Sequence, residues 1–262
     1  MLVARHGPRD NESEHRRSRR LILSAFKLDP DPYHPFHGRT SKAAGMSSLV
    51  QSVSQEWSIA DLNERFGPIL YRRICHDPLP GTATEEDVVR LMEKEGRLYE
   101  LVDGVLVEKV MGSPESLLAM LLGHYLNSFV LPRKSGFVLG PDGMWRLRGG
   151  LIRLPDVAFI ARDDAPNGKF PKGAMIDIVP RLAVEILSPS NTRREMEEKL
   201  DDYFNAGVRL VWFIDPSSLT AQVFTARDAM TTLDQSQSLT GGDVLPGFEL
   251  SLRTLFEDLN DA

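Results

Sequence analysis

Leu182-Ala183-Val184-Glu185-Ile186-Leu187 is an apolar run of strand length with one carboxylate inside it, and it restricts the fold more than any other stretch of the chain. A strand this apolar belongs in the interior, where an unpaired charge costs several kcal/mol. The fold must therefore bring a compensating group to Glu185. The run Leu151-Ile152-Arg153-Leu154-Pro155-Asp156-Val157-Ala158-Phe159-Ile160 repeats the pattern, with Asp156 following a proline inside a strand read from Leu151 to Ala161. One such residue is explained by an isolated buried ion pair. Two in separate strands make a shared divalent cation the more economical partner.

A third charge falls on a buried stripe. The segment from Thr192 to Ala206 reads as a helix ended by Gly207, and Met196, Leu200 and Tyr203 mark its inner face. Lys199 lies among them, three residues after Met196 and four before Tyr203. Such a lysine either snorkels along the helix edge or points toward the carboxylates. Asp, Glu and Lys converging would supply hard oxygen ligands for Mg²⁺ and a cation to orient water and offset charge, as metal-dependent phosphodiester hydrolysis requires.

The remaining pattern predicts a mixed sheet flanked by helices, of α/β class with α+β character. Ser58 caps a short helix ended by Gly67 and Pro68, and Thr84 with Asp87 forms a capping box for a helix that stops at Gly96. Leu98 to Val102, Asp103-Gly104 and Val105 to Val110 give a hairpin signal, because a type I′ turn needs positive φ at both central residues. Ser113 as cap and Pro114 at the first helical position open a core helix carrying Leu118, Leu121, Leu122, Tyr125 and Phe129. Further strands are read at Phe137 to Leu139, Met144 to Arg148, Val208 to Ile214 and Thr220 to Thr225. A final strand and short helix fill Phe248 to Leu259.

Residues 1–45 differ from the rest, holding nine Lys or Arg, five Asp or Glu and four of the six histidines, and read as a disordered tail. Arg16, Arg17, Arg19 and Arg20 read as a solvated run, and Met46 is an alternative start. Residues 46–97 form a helical leading segment and residues 98–262 the sheet-bearing core.

Composition and absent motifs narrow the chemistry. The net charge of −6 gives no global attraction to polyanions, so nucleic acid would have to bind a local patch. Arg146 to Arg181 is such a patch, with seven basic and four acidic residues. The single Cys75 excludes an intrachain disulfide and a cysteine-based zinc cluster, which suits a reducing cytoplasm. No apolar run approaches the roughly 20 residues of a membrane span. Past His76 only His124 remains, with no G-x-S-x-G elbow, phosphate loop or H-E-x-x-H, so a hydrolytic triad, a nucleotide cofactor and histidine-bound zinc are disfavoured. Ser188 lacks a base in view, and Ser188-Pro189-Ser190 reads as the turn before a helix capped by Ser190, Asn191 or Thr192.

Several spaced motifs resemble the Uma-type restriction-endonuclease family of the PD-(D/E)XK nuclease superfamily. They are Tyr99-Glu100-Leu101-Val102-Asp103-Gly104, Leu154-Pro155-Asp156-Val157, Val184 to Ser190, Lys199 with Tyr203 and Gly207-Val208, and Val211 to Pro216, spanning roughly Thr82 to Leu255. The resemblance implies a restriction-endonuclease-like mixed sheet and a metal-dependent DNA endonuclease. Asp156 and Glu185 would ligate Mg²⁺, for which Mn²⁺ would substitute, with the Ile186 carbonyl as a further ligand and Glu100 as an additional acidic group. The superfamily pattern wants lysine two residues after the Glu, where this chain has Leu187. Lys199 on the following helix could present its amine in the same space, with Arg193 and Arg194 as alternatives. Glu115 and Ser116 stand near where many relatives carry histidine.

Arg146 and Arg148 share one strand face, which reads either as merely solvated or, with Arg153, as a set of phosphate contacts. DNA is the expected partner, and a homodimer would suit paired cuts on a duplex. The competing reading is a catalytically inactive nuclease-like domain that binds nucleic acid or protein.

Overall fold

Asp103 and Gly104 both adopt positive φ, 50° and 75°, and fold β1 (Tyr99–Val102) back onto β2 (Val105–Glu108) with Val102 opposite Val105. The turn packs so closely that a Cβ on Gly104 would lie 2.5 Å from the carbonyl oxygen of Gly81. The computed structural model describes residues 56–68 and 71–261. The tail at 1–45, its arginines and the alternative start at Met46 lie outside the described residues.

Two capped helices precede the hairpin. α1 (Ile59–Phe66) starts at Ser58, whose side chain and that of Asp61 bond reciprocally to each other's backbone, and it ends at Gly67. α2 (Glu85–Glu95) begins with the Thr84–Asp87 capping box and stops at Gly96 in the left-handed conformation. α3 (Ser113–Arg133) starts one residue earlier than its sequence suggests. Gly112 is the cap and Ser113 is already helical, while Pro114 falls in the first turn, where a missing N–H leaves no bond unmade.

The hairpin heads a five-stranded sheet in the order β2-β1-β5-β4-β7, with β4 (Met144–Arg148), β5 (Leu151–Arg153) and β7 (Met175–Ile176). A six-stranded sheet has the order β11-β10-β9-β8-β6-β3. Its strands are β3 (Gly136–Leu139), β6 (Val157–Ala161), β8 (Leu182–Ile186), β9 (Leu210–Asp215), β10 (Thr220–Ala226) and β11 (Ala229–Leu233). β8 and β9 are parallel, so a crossover must join them. α4 (Arg193–Ala206) is that crossover, capped by Thr192 and closed by Gly207 at φ 102°. A β12 (Ser238–Gly241) and β13 (Leu245–Ser251) hairpin and α5 (Leu252–Asp261) complete the described chain.

The stretch read as one strand from Leu151 to Ala161 is two strands in two sheets. β5 belongs to the five-stranded sheet and β6 to the six-stranded one, with Leu154-Pro155-Asp156 as the corner. Pro155 has no N–H to give to a ladder, and the chain resumes pairing when the Asp156 N–H donates to the Val184 carbonyl at 2.9 Å. Asp156 therefore sits at a strand entry and not inside a strand. β7, β11 and β12 had no clear sequence signal. Four of five β11 residues are exposed, which removes the alternation that reveals a strand.

Strand parity distributes the core. Val157, Phe159, Val184 and Trp212 face Leu118, Leu122 and Leu126 of α3 and Leu255 of α5. Ala158, Ile160, Ala183 and Val211 face the opposite way, toward Met196, Leu200 and Tyr203 of α4, Phe66 of α1, and Val102, Val107 and Trp145 of the other sheet. The far side of the five-stranded sheet packs Leu101, Leu106 and Ile152 on Val88 and Leu91 of α2. Each fully buried aliphatic side chain contributes roughly 1.5–3 kcal/mol. α4 is thus held between the two sheets, and its inner stripe faces both. No helix among the described residues is long and apolar enough to cross a membrane.

Candidate active site

The alternation that builds the core also aims charges at α4. On β8, Leu182, Val184 and Ile186 enter the α3 side, so Glu185 shares the other face with Ala183. On β1, Leu101 packs toward α2 while Val102 packs inward, which turns Glu100 inward as well. Glu195, Met196, Lys199, Leu200 and Tyr203 form the buried stripe of α4. Glu100, Arg153, Asp156, Glu185, Glu195, Lys199 and Arg73 are all at most 6% exposed.

These groups bond to one another. The Lys199 ammonium lies 3.0 Å from Glu100 Oε1 and 2.9 Å from Glu185 Oε2, and the Tyr203 hydroxyl donates to Glu185 Oε1. Asp156 Oδ2 accepts the Ile186 N–H at 2.6 Å. Its Oδ1 takes the Lys109 ammonium at 2.7 Å, which also donates to the Leu154 carbonyl. Arg153 joins Glu100 Oε2 at 2.8 Å to Asp202 Oδ2, which it reaches with Nε at 2.9 Å and Nη2 at 2.6 Å. Arg73 clamps Glu195 with two bonds of 2.7 and 3.2 Å. Glu100, Lys109, Asp156, Glu185, Ile186 and Lys199 line one small polar cleft, edged by Ser188 and Asn191.

The electrostatics separate the two glutamates. Burial opposes ionisation of Glu100, but Lys199, Arg153 and Lys109 outweigh it and pull its pKa down to about 2. At Glu185 burial pushes the pKa up, and repulsion from Asp156 and Glu100 adds to it, against the attraction of Lys199 and Lys109. Glu185 is thus the less compensated carboxylate. Burial also opposes the charge on Lys199, yet Glu100 and Glu185 hold it protonated well above the usual lysine range. A lysine held that way acts as a fixed cation and not as a proton acceptor.

The donor set fits magnesium better than a closed cage. No group of three or more His, Cys, Asp or Glu side chains among the described residues is arranged to hold a metal ion. Mg²⁺ is usually bound by one or two carboxylates, with water and phosphate oxygens completing its shell. Asp156 and Glu185 in one polar cleft are two carboxylates of the kind such a site would use.

Arg153 is a correction. It is buried between Glu100 and Asp202 and cannot reach a nucleic-acid backbone. The cation of Arg146 is engaged by Glu85 at 2.6 Å and by Asp177. Arg148 is exposed and makes no ion pair among the described residues. Arg193 and Arg194 pair outward with Glu197 and Glu198 one turn along α4, so Lys199 alone of the three reaches Glu185. Ser188 Oγ bonds to Ser190 Oγ and Asn191 Oδ1 in the turn before α4, and Thr192 is the residue that caps that helix.

Lys109, Arg73 and Glu195 went unrecognised in the sequence. Lys109 follows Glu108 at the end of a hairpin, and Arg73 lies in a polar stretch, so both read as surface residues. Glu195 carried a signal, since it is the third helical residue of the Thr192 capping box and lies four before Lys199.

Comparison with known proteins bears on the family and the fold. A family model, Uma2, described as "Putative restriction endonuclease", matches residues 85–253. A solved structure similar to the chain is that of a putative nuclease belonging to DUF820 from Anabaena variabilis ATCC 29413. It has a TM-score of 0.56 and 21% identity over 62% of this chain and 91% of that one, a likeness of fold. A search of curated proteins gives no match.

Proposed function

Because the chain belongs to the Uma2 restriction-endonuclease family, we propose that its polar cleft is the active centre of a Mg²⁺-dependent endonuclease hydrolysing DNA phosphodiester bonds. The observation that carries this reading is Lys199 bridging Glu100 and Glu185 in the cleft that Asp156 enters. Asp156 and Glu185, with the Ile186 carbonyl, would hold the metal, which supplies Lewis-acid charge to phosphate oxygens when bound.

The chain's own groups do the rest. Lys199, whose charge Glu100 and Glu185 favour, offsets negative charge beside Glu185 and orients water. Its 2.9 Å contact with Glu185 supports the view that it stands in for the lysine replaced by Leu187. Glu100 positions Lys199, and Arg153 positions Glu100. Arg148 is kept as a proposed phosphate contact because it is exposed and makes no ion pair among the described residues.

One observation favours the second reading, a noncatalytic module binding nucleic acid or protein. Both oxygens of Asp156 and of Glu185 already have protein donors. The deciding experiment is calorimetry of Mn²⁺ and Mg²⁺ binding to wild type, Asp156→Asn and Glu185→Gln, with circular dichroism as fold control and plasmid cleavage alongside. The endonuclease reading expects metal binding and cleavage in wild type, with both lost in each variant. Wild-type protein that binds DNA but no metal, with or without duplex present, would establish the module instead.

A further inference from the structure

The Lys109 ammonium occupies a position that a hard cation would take. It touches a carboxylate oxygen, Asp156 Oδ1, at 2.7 Å and the carbonyl oxygen of Leu154. Those are oxygen donors of the kind that coordinate magnesium, and they lie on the wall of the cleft that also holds Glu185 and Ile186. Asp156 Oδ2 is already taken by the Ile186 N–H. An incoming ion therefore meets Asp156 at the oxygen that Lys109 holds.

From this geometry we infer that Lys109 is a built-in stand-in for the divalent cation, balancing Asp156 until the metal displaces it. The inference rests on the metal-dependent reading given above. The two lysines of the cleft differ in how they are held. Lys199 is gripped by two carboxylates from two strands. Lys109 is held by one carboxylate and one carbonyl. Its backbone is fixed where its N–H donates to the Leu98 carbonyl at 2.9 Å, so displacement needs only rotation of its four-carbon stem. Val110, Met111 and Glu115 follow it along the cleft wall, and Val110 is exposed. The Lys109 side chain is 8% exposed in the ion pair, so its displacement would bring a buried amine toward the solvent that Val110 already meets.

The test compares Mn²⁺ affinity of wild type, Lys109→Met and Lys109→Arg by calorimetry. Removing an opposing unit charge should tighten Mn²⁺ binding about tenfold or more in Lys109→Met, while Lys109→Arg should bind no more tightly than wild type. A second measurement needs no variant. Amine-reactive labelling of wild type, read by mass spectrometry, should rise several-fold at Lys109 on saturation with Mg²⁺ and stay unchanged at Lys199. Wild-type binding of Mn²⁺ with equal or weaker affinity in folded Lys109→Met, or unaltered Lys109 labelling, would overturn the stand-in role alone. No Mn²⁺ binding by any of the proteins would remove the metal-dependent reading together with it.

Discussion

The ammonium of Lys199, on α4, sits 3.0 Å from Glu100 Oε1, on a strand of the five-stranded sheet, and both side chains are almost fully buried. The pair joins a helix to a sheet through charge, within a cluster that also holds Arg153 and Glu185. Lys199→Met would leave Glu100 and Glu185 facing each other without their shared cation. Urea unfolding at neutral pH should show a loss of roughly 3–5 kcal/mol, the usual cost of orphaning a buried charge.

The two glutamates should respond oppositely to pH. Glu100 has its pKa lowered from 4.5 to about 2, so its stabilisation is complete above the unfolded value and fades as pH falls toward 2. The stability difference between wild type and Glu100→Gln should be constant near neutrality and shrink through that acid window. Glu185 has a raised pKa, so its ionised form costs stability at neutral pH and protonation relieves it. Metal-free Glu185→Gln should therefore unfold at or above the wild-type temperature. Melting curves of both variants across the acid range check the signs.

Arginine substitutions should separate structure from DNA contact. Arg148→Ala should reduce the slope of log affinity against log salt by about one while leaving the fold intact, as loss of one phosphate contact does. Arg153→Met should leave that slope unchanged. Its cost should appear in unfolding, at roughly 3–5 kcal/mol, because Glu100 and Asp202 lose their common partner.

The hairpin that carries Glu100 depends on Gly104. Its φ of 75° and the 2.5 Å approach of a Cβ to the Gly81 carbonyl oxygen oppose any side chain. Gly104→Ala should lower stability by more than about 1 kcal/mol in thermal unfolding, with circular dichroism tracking the strand content.

Asp156, Glu185 and Lys199 were legible because each breaks an apolar pattern, and the structure brings Glu185 and Lys199 into contact, with Asp156 lining the same cleft. The caps at Ser58, Thr84 and Gly207 were legible because capping is local chemistry, and Thr192 was one of three candidates for its helix. Lys109 was not, because a lysine at a hairpin end is ordinarily solvated. Only the distant corner at Leu154 to Asp156 gives it a partner. The same corner defeated the reading of one long strand, since apolar periodicity is blind to a change of sheet and only Pro155 hinted at it. Arg153 looked like a surface cation because its burial depends on Glu100 and Asp202, both more than forty residues away in sequence.

The Pro155 corner also bears on how the cleft comes into being during folding. Arg153 and Asp156 are three residues apart, yet one anchors to Glu100 on β1 and the other to the backbone of β8. Neither sheet alone holds a complete set of charges, and the pairs Lys199–Glu100 and Lys109–Asp156 join residues far apart in sequence. The cleft therefore exists only once both sheets are docked around α4. A nascent or nicked chain lacking either sheet would carry the acidic residues without their partners. On the endonuclease reading proposed above, such a chain would lack the assembled cleft that cleavage requires.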